Sequence, residues 1–137
     1  MPPRVNGILE TSLYVENAAR SAEFYRRILG FEVIDVDGDR VSEDTRPCAL
    51  RAGDRDVLLL FEKGGTRDTD ASGAIHVAVG IARQDLAVWE AWLNEQGVTI
   101  EERKKWKYGG EALYFRDPDG HLLEVVRPGC GRFSESR

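Results

Sequence analysis

One pattern runs through the chain twice. With Glu10 set on His76, 66 residues later, Leu9-Glu10-Thr11-Ser12-Leu13-Tyr14-Val15 lies over Ile75-His76-Val77-Ala78-Val79-Gly80-Ile81. The glycines that end the amphipathic stretches, Gly30 and Gly97, stand 67 apart. The closing strands Val57-Leu58-Leu59 and Leu122-Leu123-Glu124 stand 65 apart. A nearly constant offset over three landmarks marks two copies of one unit. A duplicated chain tends to place its chemistry where the copies face each other, at equivalent strand positions, and the unusual polar residues fall there.

The first copy opens on a strand with Leu9, Leu13 and Val15 on one face and Ile8, Glu10, Ser12 and Tyr14 on the other. Asn17 is the expected N-cap of a helix in which Ala18, Ser21, Ala22, Tyr25, Ile28 and Leu29 keep helical spacing up to Gly30. Phe31 to Ile34 is the next strand, turned by Asp37-Gly38-Asp39. Cys48-Ala49-Leu50 and Val57 to Phe61 follow as two strands around Ala52-Gly53-Asp54. Lys63 to Gly73 reads as a linker. The second copy runs from strand Ile75–Ile81 to a helix with Leu86, Trp89, Trp92 and Leu93, then to a strand at Val98–Ile100. A basic, tryptophan-bearing loop over Glu102–Lys107 comes next. Ala112–Phe115 and His121–Val126 are strands joined by the turn Asp117-Pro118-Asp119-Gly120. Residues 7–63 and 74–128 thus form two βαβββ modules within a single domain spanning 1–137. With no long helices to cover a parallel sheet, the expected fold is α+β, its curved sheets each carrying a helix outside and cupping a side-chain or ligand space inside.

Composition narrows the function. A hydrophobic share of 42% suits a globular protein, and a net charge of −5 disfavours binding to nucleic acid or an anionic membrane. No apolar run approaches the roughly 20 residues of a membrane span, and Met1-Pro2-Pro3-Arg4 opens no signal peptide. Cys48 and Cys130 form neither a disulfide framework nor a metal spacing, so a reduced cytoplasmic setting is expected.

Three residues carry candidate chemistry. His76 shares its face with Ala74, Ala78 and Gly80, small residues that leave room beside the ring. Such space suits a ligand or a metal, whereas a merely structural strand histidine would be hydrogen-bonded and packed by larger neighbours. Glu124, between Leu122 and Val126 on its face, is costly to bury as an ion unless it is paired or binds a cation; the other reading is an exposed edge. Glu10 is the repeat equivalent of His76. One imidazole and two carboxylates suit a divalent ion such as Mn, Fe, Ni, Co or Zn and leave coordination positions for substrate. Glu10 and Glu124 are also the candidate bases. Leu59, the repeat partner of Glu124, cannot ligate. The run Arg103 to Gly110 concentrates positive charge that could clamp an anionic tail, with Trp106 or Tyr108 as an apolar wall; the other reading is a solvated loop. Ser12, Leu59, Trp106 and Tyr108 are the expected substrate-pocket residues. His121, following Gly120 at a turn, reads as a surface residue.

With Leu13-Tyr14-Val15, the helix Ser21 to Phe31 with its Phe24-Tyr25 and Leu29-Gly30-Phe31, and the string Tyr114 to Glu124 around Asp117-Pro118-Asp119-Gly120, the chain resembles the vicinal oxygen chelate superfamily. This is the glyoxalase, bleomycin-resistance and extradiol-dioxygenase group. The resemblance covers about Gly7 to Pro128. It implies paired βαβββ modules around a metal, with homodimers that often complete each other's cavities. Ligands in the family come from the first strand of each module and the last strand of a module, here Glu10, His76, Leu59 and Glu124. The chain departs from the pattern in two places. Glu10 stands where many members have His, and Leu59 stands where glyoxalase I members have a ligating Glu that can act as base. The remaining three match the extradiol layout, with Glu in place of one His. The resemblance implies a metal-dependent enzyme on a small substrate with vicinal oxygens: lactoylglutathione-lyase-type isomerisation first, extradiol ring cleavage second. The alternative is a metal-free protein of the bleomycin-resistance type that binds a small molecule or drug.

Overall fold

The structure, a computed structural model, describes residues 1–5, 8–34, 48–64, 75–107 and 109–127. The expected turn at Asp37-Gly38-Asp39, most of the linker beyond Gly64, Ala74, Tyr108 and the tail from Gly129 lie outside those residues. The chain divides into two compact units, Met1–Ser72 and Gly73–Arg137.

In the first unit Asn17 accepts a hydrogen bond from the Arg20 N–H at 2.9 Å and so caps helix α1 (Ala18–Leu29). Glu62 Oε1 takes the Ala18 N–H as well. Gly30 ends the helix with φ +71°, where its N–H bonds Arg26 O and the Phe31 N–H bonds Tyr25 O. Strands β1 (Glu10–Val15), β2 (Glu32–Ile34), β3 (Cys48–Ala52) and β4 (Asp56–Glu62) form one sheet in the order β1-β4-β3-β2. The first strand lies parallel to the last, and the other pairs are antiparallel. Leu13, Val15, Leu50, Leu58 and Leu60 are buried with Tyr25 and Ile28 of α1. These strand residues share one face by the register. The start of β1 differs from expectation. Leu9 is 78% exposed because β4 begins at Asp56 and offers no parallel partner before the Glu10–Val57 pair.

The second unit repeats the topology. Strands β5 (His76–Gly80), β6 (Glu102–Lys105), β7 (Glu111–Arg116) and β8 (Leu122–Arg127) pair in the order β5-β8-β7-β6, again with first and last parallel. Helix α2 (Leu86–Glu95) packs on β7 and β8. Leu113, Phe115, Leu123 and Val125 are buried there, together with Leu93. The fold is α+β with two βαβββ modules, each sheet carrying its helix on one face.

Two expectations fail in this unit. Val98–Ile100 is not a strand: the Val98 N–H is taken by Leu93 O in closing the helix end. The strand is instead the charged Glu102–Lys105, which had read as a loop. It pairs on one side only, with β7, and an edge position accepts charged residues that a central strand would not. The alternation sorts them. Arg103 bonds Glu90 of α2 on the helix side, and Lys104 lies over the Trp106 ring, 5.5 Å from its centroid. Among the described residues no helix is long and apolar enough to cross a membrane.

Leu93 is the α2 residue buried completely, so Leu93→Ala should cost about 2–5 kcal/mol of stability. The measurement is the urea midpoint. A change well below 1 kcal/mol would mean that α2 is not packed on its sheet as described.

Candidate functional site

The β5–β8 pairing puts His76 beside Leu122 and Ala78 beside Glu124. His76 and Glu124 are therefore diagonal neighbours on the face turned away from α2, although 48 positions apart in sequence. Their Nε2 and Oε2 atoms stand 2.8 Å apart. Ala78 and Gly80 on β5, with Ala112 on β7, keep part of that face shallow, beside Leu122, Val126 and Tyr114. The imidazole is at the rim, 48% exposed, whereas the Glu124 carboxylate lies deep at 8%. β8 lies between β5 and β7, so Glu124 is not on an exposed edge; its charge is met by partners instead.

The second partner is Tyr114, directly opposite Glu124 in the β7–β8 pair. Its hydroxyl hydrogen-bonds Glu124, and its ring lies 5.9 Å from the His76 ring at 49°. Burial first, then the Glu124 carboxylate, with a smaller push from Glu102, drives the Tyr114 phenol up to about 12. Tyr114 therefore stays a neutral hydrogen-bond donor at ordinary pH. Sequence reasoning used Tyr114 only as part of a family string. Counting five residues either way from Asp119, across a symmetric hairpin, would have paired it with Glu124.

His121, expected at the surface, is buried. Its Nδ1 stands 2.6 Å from Asp117 Oδ2, and Asp117 Oδ1 accepts the backbone N–H of both Asp119 and His121 at 2.9 Å. A turn composition hid this, because Asp117 folds back over its own hairpin and encloses the ring. The clamp holds the β7–β8 register on which the Tyr114–Glu124 pairing depends.

The structure thus brings together His76 and Glu124 and adds Tyr114. Glu10, Ser12 and Leu59 belong to the first unit. Glu10 pairs with Val57 as His76 pairs with Leu122, so the two hold equivalent register positions. Ser12 pairs with Leu59, which is buried and stands where Glu124 stands in the second unit; Ala49 takes the place of Tyr114. Trp106 lies in the β6–β7 hairpin, where its N–H bonds Gly110 O at 2.8 Å. Among the described residues no three His, Cys, Asp or Glu side chains gather as a metal cage. The His76–Glu124 pair nonetheless suits a shared cation. Two donors about 2.0–2.2 Å from one tetrahedral ion sit roughly 3.3 Å apart, a small side-chain shift from the 2.8 Å seen.

The sequence profile of the Glyoxalase/Bleomycin resistance protein/Dioxygenase superfamily matches residues 7–125. The chain belongs to this superfamily. Among its relatives, the metallothiol transferase FosB of Staphylococcus epidermidis is 33% identical over 88% of this chain and 83% of its own length. A catechol-2,3-dioxygenase of Bacillus subtilis is 29% identical over 82% of this chain but only 38% of its own length. Among solved structures, a lactoylglutathione lyase from Agrobacterium tumefaciens superposes with a TM-score of 0.79 at 24% identity, covering 97% of this chain and all of that one, a likeness of fold.

An alkaline titration tests the site electrostatics. A tyrosine whose folded pKa is raised contributes stability that is complete below the unfolded value of about 10 and is lost as pH rises through about 12. Phenolate absorbance, compared between wild type and Tyr114→Phe, should place the Tyr114 ionisation near 12, above an ordinary tyrosine. Glu124→Gln should bring it part of the way down, burial keeping it above an ordinary tyrosine. Ionisation of Tyr114 together with exposed tyrosines would contradict the described contact.

Proposed function

We propose that this chain is a metal-dependent enzyme that binds a small molecule through neighbouring oxygens. His76 and Glu124 hold the ion; Glu10, the third donor of the expected set, stands in the first unit at the repeat position equivalent to His76. One observation carries the reading: a buried carboxylate 2.8 Å from an imidazole, with the small residues Ala78 and Gly80 beside them on β5. When bound, a divalent ion would contribute positive charge that polarises the substrate's oxygens. The chain's own residues do the rest. Glu124 and His76 fix the place of the reacting group, Ala78, Gly80 and Ala112 leave space for it, and Lys104 beside Trp106 offers a cation for an anionic tail.

The reaction favoured is transfer of a low-molecular-weight thiol to a small electrophile. The sulfur–carbon bond forms as a carbon–oxygen bond breaks, and the thiol proton ends on the released oxygen. Support comes from the thiol-transferase relative, which aligns over most of both chains. It comes also from Leu59, which puts a buried aliphatic group where a second last-strand carboxylate would stand. Isomerisation of the lactoylglutathione-lyase type asks for a base that moves a carbon-bound proton, and in this chain that task would fall to Glu10. A thiolate is itself the nucleophile and needs no such base. A homodimer belongs to the same reading, because Val5, Ile8 and Leu9 leave an apolar lead-in to β1 uncovered.

Protein purified without chelator should carry one divalent ion per chain by elemental analysis and consume thiol in the presence of electrophiles. His76→Ala should lower ion affinity at least about 100-fold and abolish turnover. Turnover of hemithioacetals or catechols in place of thiol transfer would reassign the reaction within the superfamily. A folded wild type that binds none of Mn, Fe, Ni, Co and Zn would overturn the enzyme reading in favour of metal-free small-molecule binding.

A further inference from the structure

Tyr114 touches both donors of the pair. Its hydroxyl hydrogen-bonds Glu124, and its ring stands tilted at 49° against the His76 ring, 5.9 Å away. It is buried on β7, paired on one side with Glu124 of β8 and on the other with Glu102 of β6, so the strand cannot carry it away from the site. The first unit offers a comparison within the same chain. Ala49 occupies the equivalent position, beside Leu59, so those two places hold neither a last-strand carboxylate nor a phenol opposite it. The phenol and the carboxylate occur together, in one copy of the repeat.

We propose that Tyr114 is a positioning residue that sets the orientation of both Glu124 and His76. The inference rests on the reading that this pair holds a metal. A buried carboxylate can rotate about its last torsion and an imidazole about its χ2, and both torsions have broad wells. One hydrogen bond to the carboxylate restricts the first, and a tilted ring beside the imidazole restricts the second. Groups behind metal ligands act in this way, and their removal commonly lowers affinity 10–100-fold without removing a ligand.

Two variants separate the contributions. Tyr114→Phe keeps the ring and loses the hydrogen bond, whereas Tyr114→Leu loses both but keeps an apolar side chain in the core. Calorimetric titration with Co or Zn should give about tenfold weaker binding for Tyr114→Phe and a larger loss for Tyr114→Leu. The visible spectrum of the Co-loaded protein should change shape in both. The metal-free protein supplies an independent readout at fixed neutral pH. The His76 ring signals and their contacts to ring 114 in NMR should be sharp in wild type, shifted in Tyr114→Phe and broadened in Tyr114→Leu. Thermal unfolding of metal-free Tyr114→Phe should stay close to wild type. Unchanged His76 signals in both variants would overturn the proposal whatever the metal does. So would a loss of affinity that merely tracks a loss of folding stability. A wild type that binds no ion, yet shows the expected NMR changes in the variants, would sink the metal reading and leave the positioning contact standing.

Discussion

Each unit is closed by a parallel pair made of its first strand and its last. Parallel neighbours cannot be joined by a tight turn, so the helix and two further strands must lie between them in sequence. The consequence for this chain is direct. β5 and β8 run side by side, and a residue at position 76 lies diagonal to one at 124. Were β8 slipped by one residue, Glu124 would face α2 and the imidazole would lose its partner. The site is a product of that pairing and of the Asp117–His121 clamp that holds the neighbouring hairpin in register.

The two faces of each sheet answer to different physics. Against the helices stand Leu, Val and Phe side chains, whose burial carries the stability. On the other face of the second unit, a nearly buried carboxylate is met by two polar neighbours, His76 and Tyr114. The first unit shows what the same backbone does without that requirement. Leu59 and Ala49 fill the places of Glu124 and Tyr114, and Tyr14 stacks on Phe61, 5.8 Å between centroids, where the second unit has Gly80 and Val126. Duplication preserved register and exchanged chemistry, and the donors of the second unit are set by side chains alone.

Much of this was legible in the residues themselves. A repeat offset, helix-closing glycines and period-two alternation are local signals, and they identify the βαβββ order, both helices and the face on which His76 and Glu124 lie. They misplace β6, because an edge strand of Glu, Arg and Lys has no apolar alternation to read, while Val98 and Ile100 imitate one. They also send His121 to the surface, because turn composition says nothing about a side chain folding back over its own hairpin.

From its order of residues alone, the chain determines which units form and which side chains share a face, since both follow from backbone periodicity over a few residues. Tertiary structure decided what those side chains meet. That Glu124 is central rather than at an edge, that its partner is His76 at 2.8 Å, and that Tyr114 supports both depend on which strand lies next to which. Strand order is a long-range choice made by burying the helix-side face, and no local pattern records it.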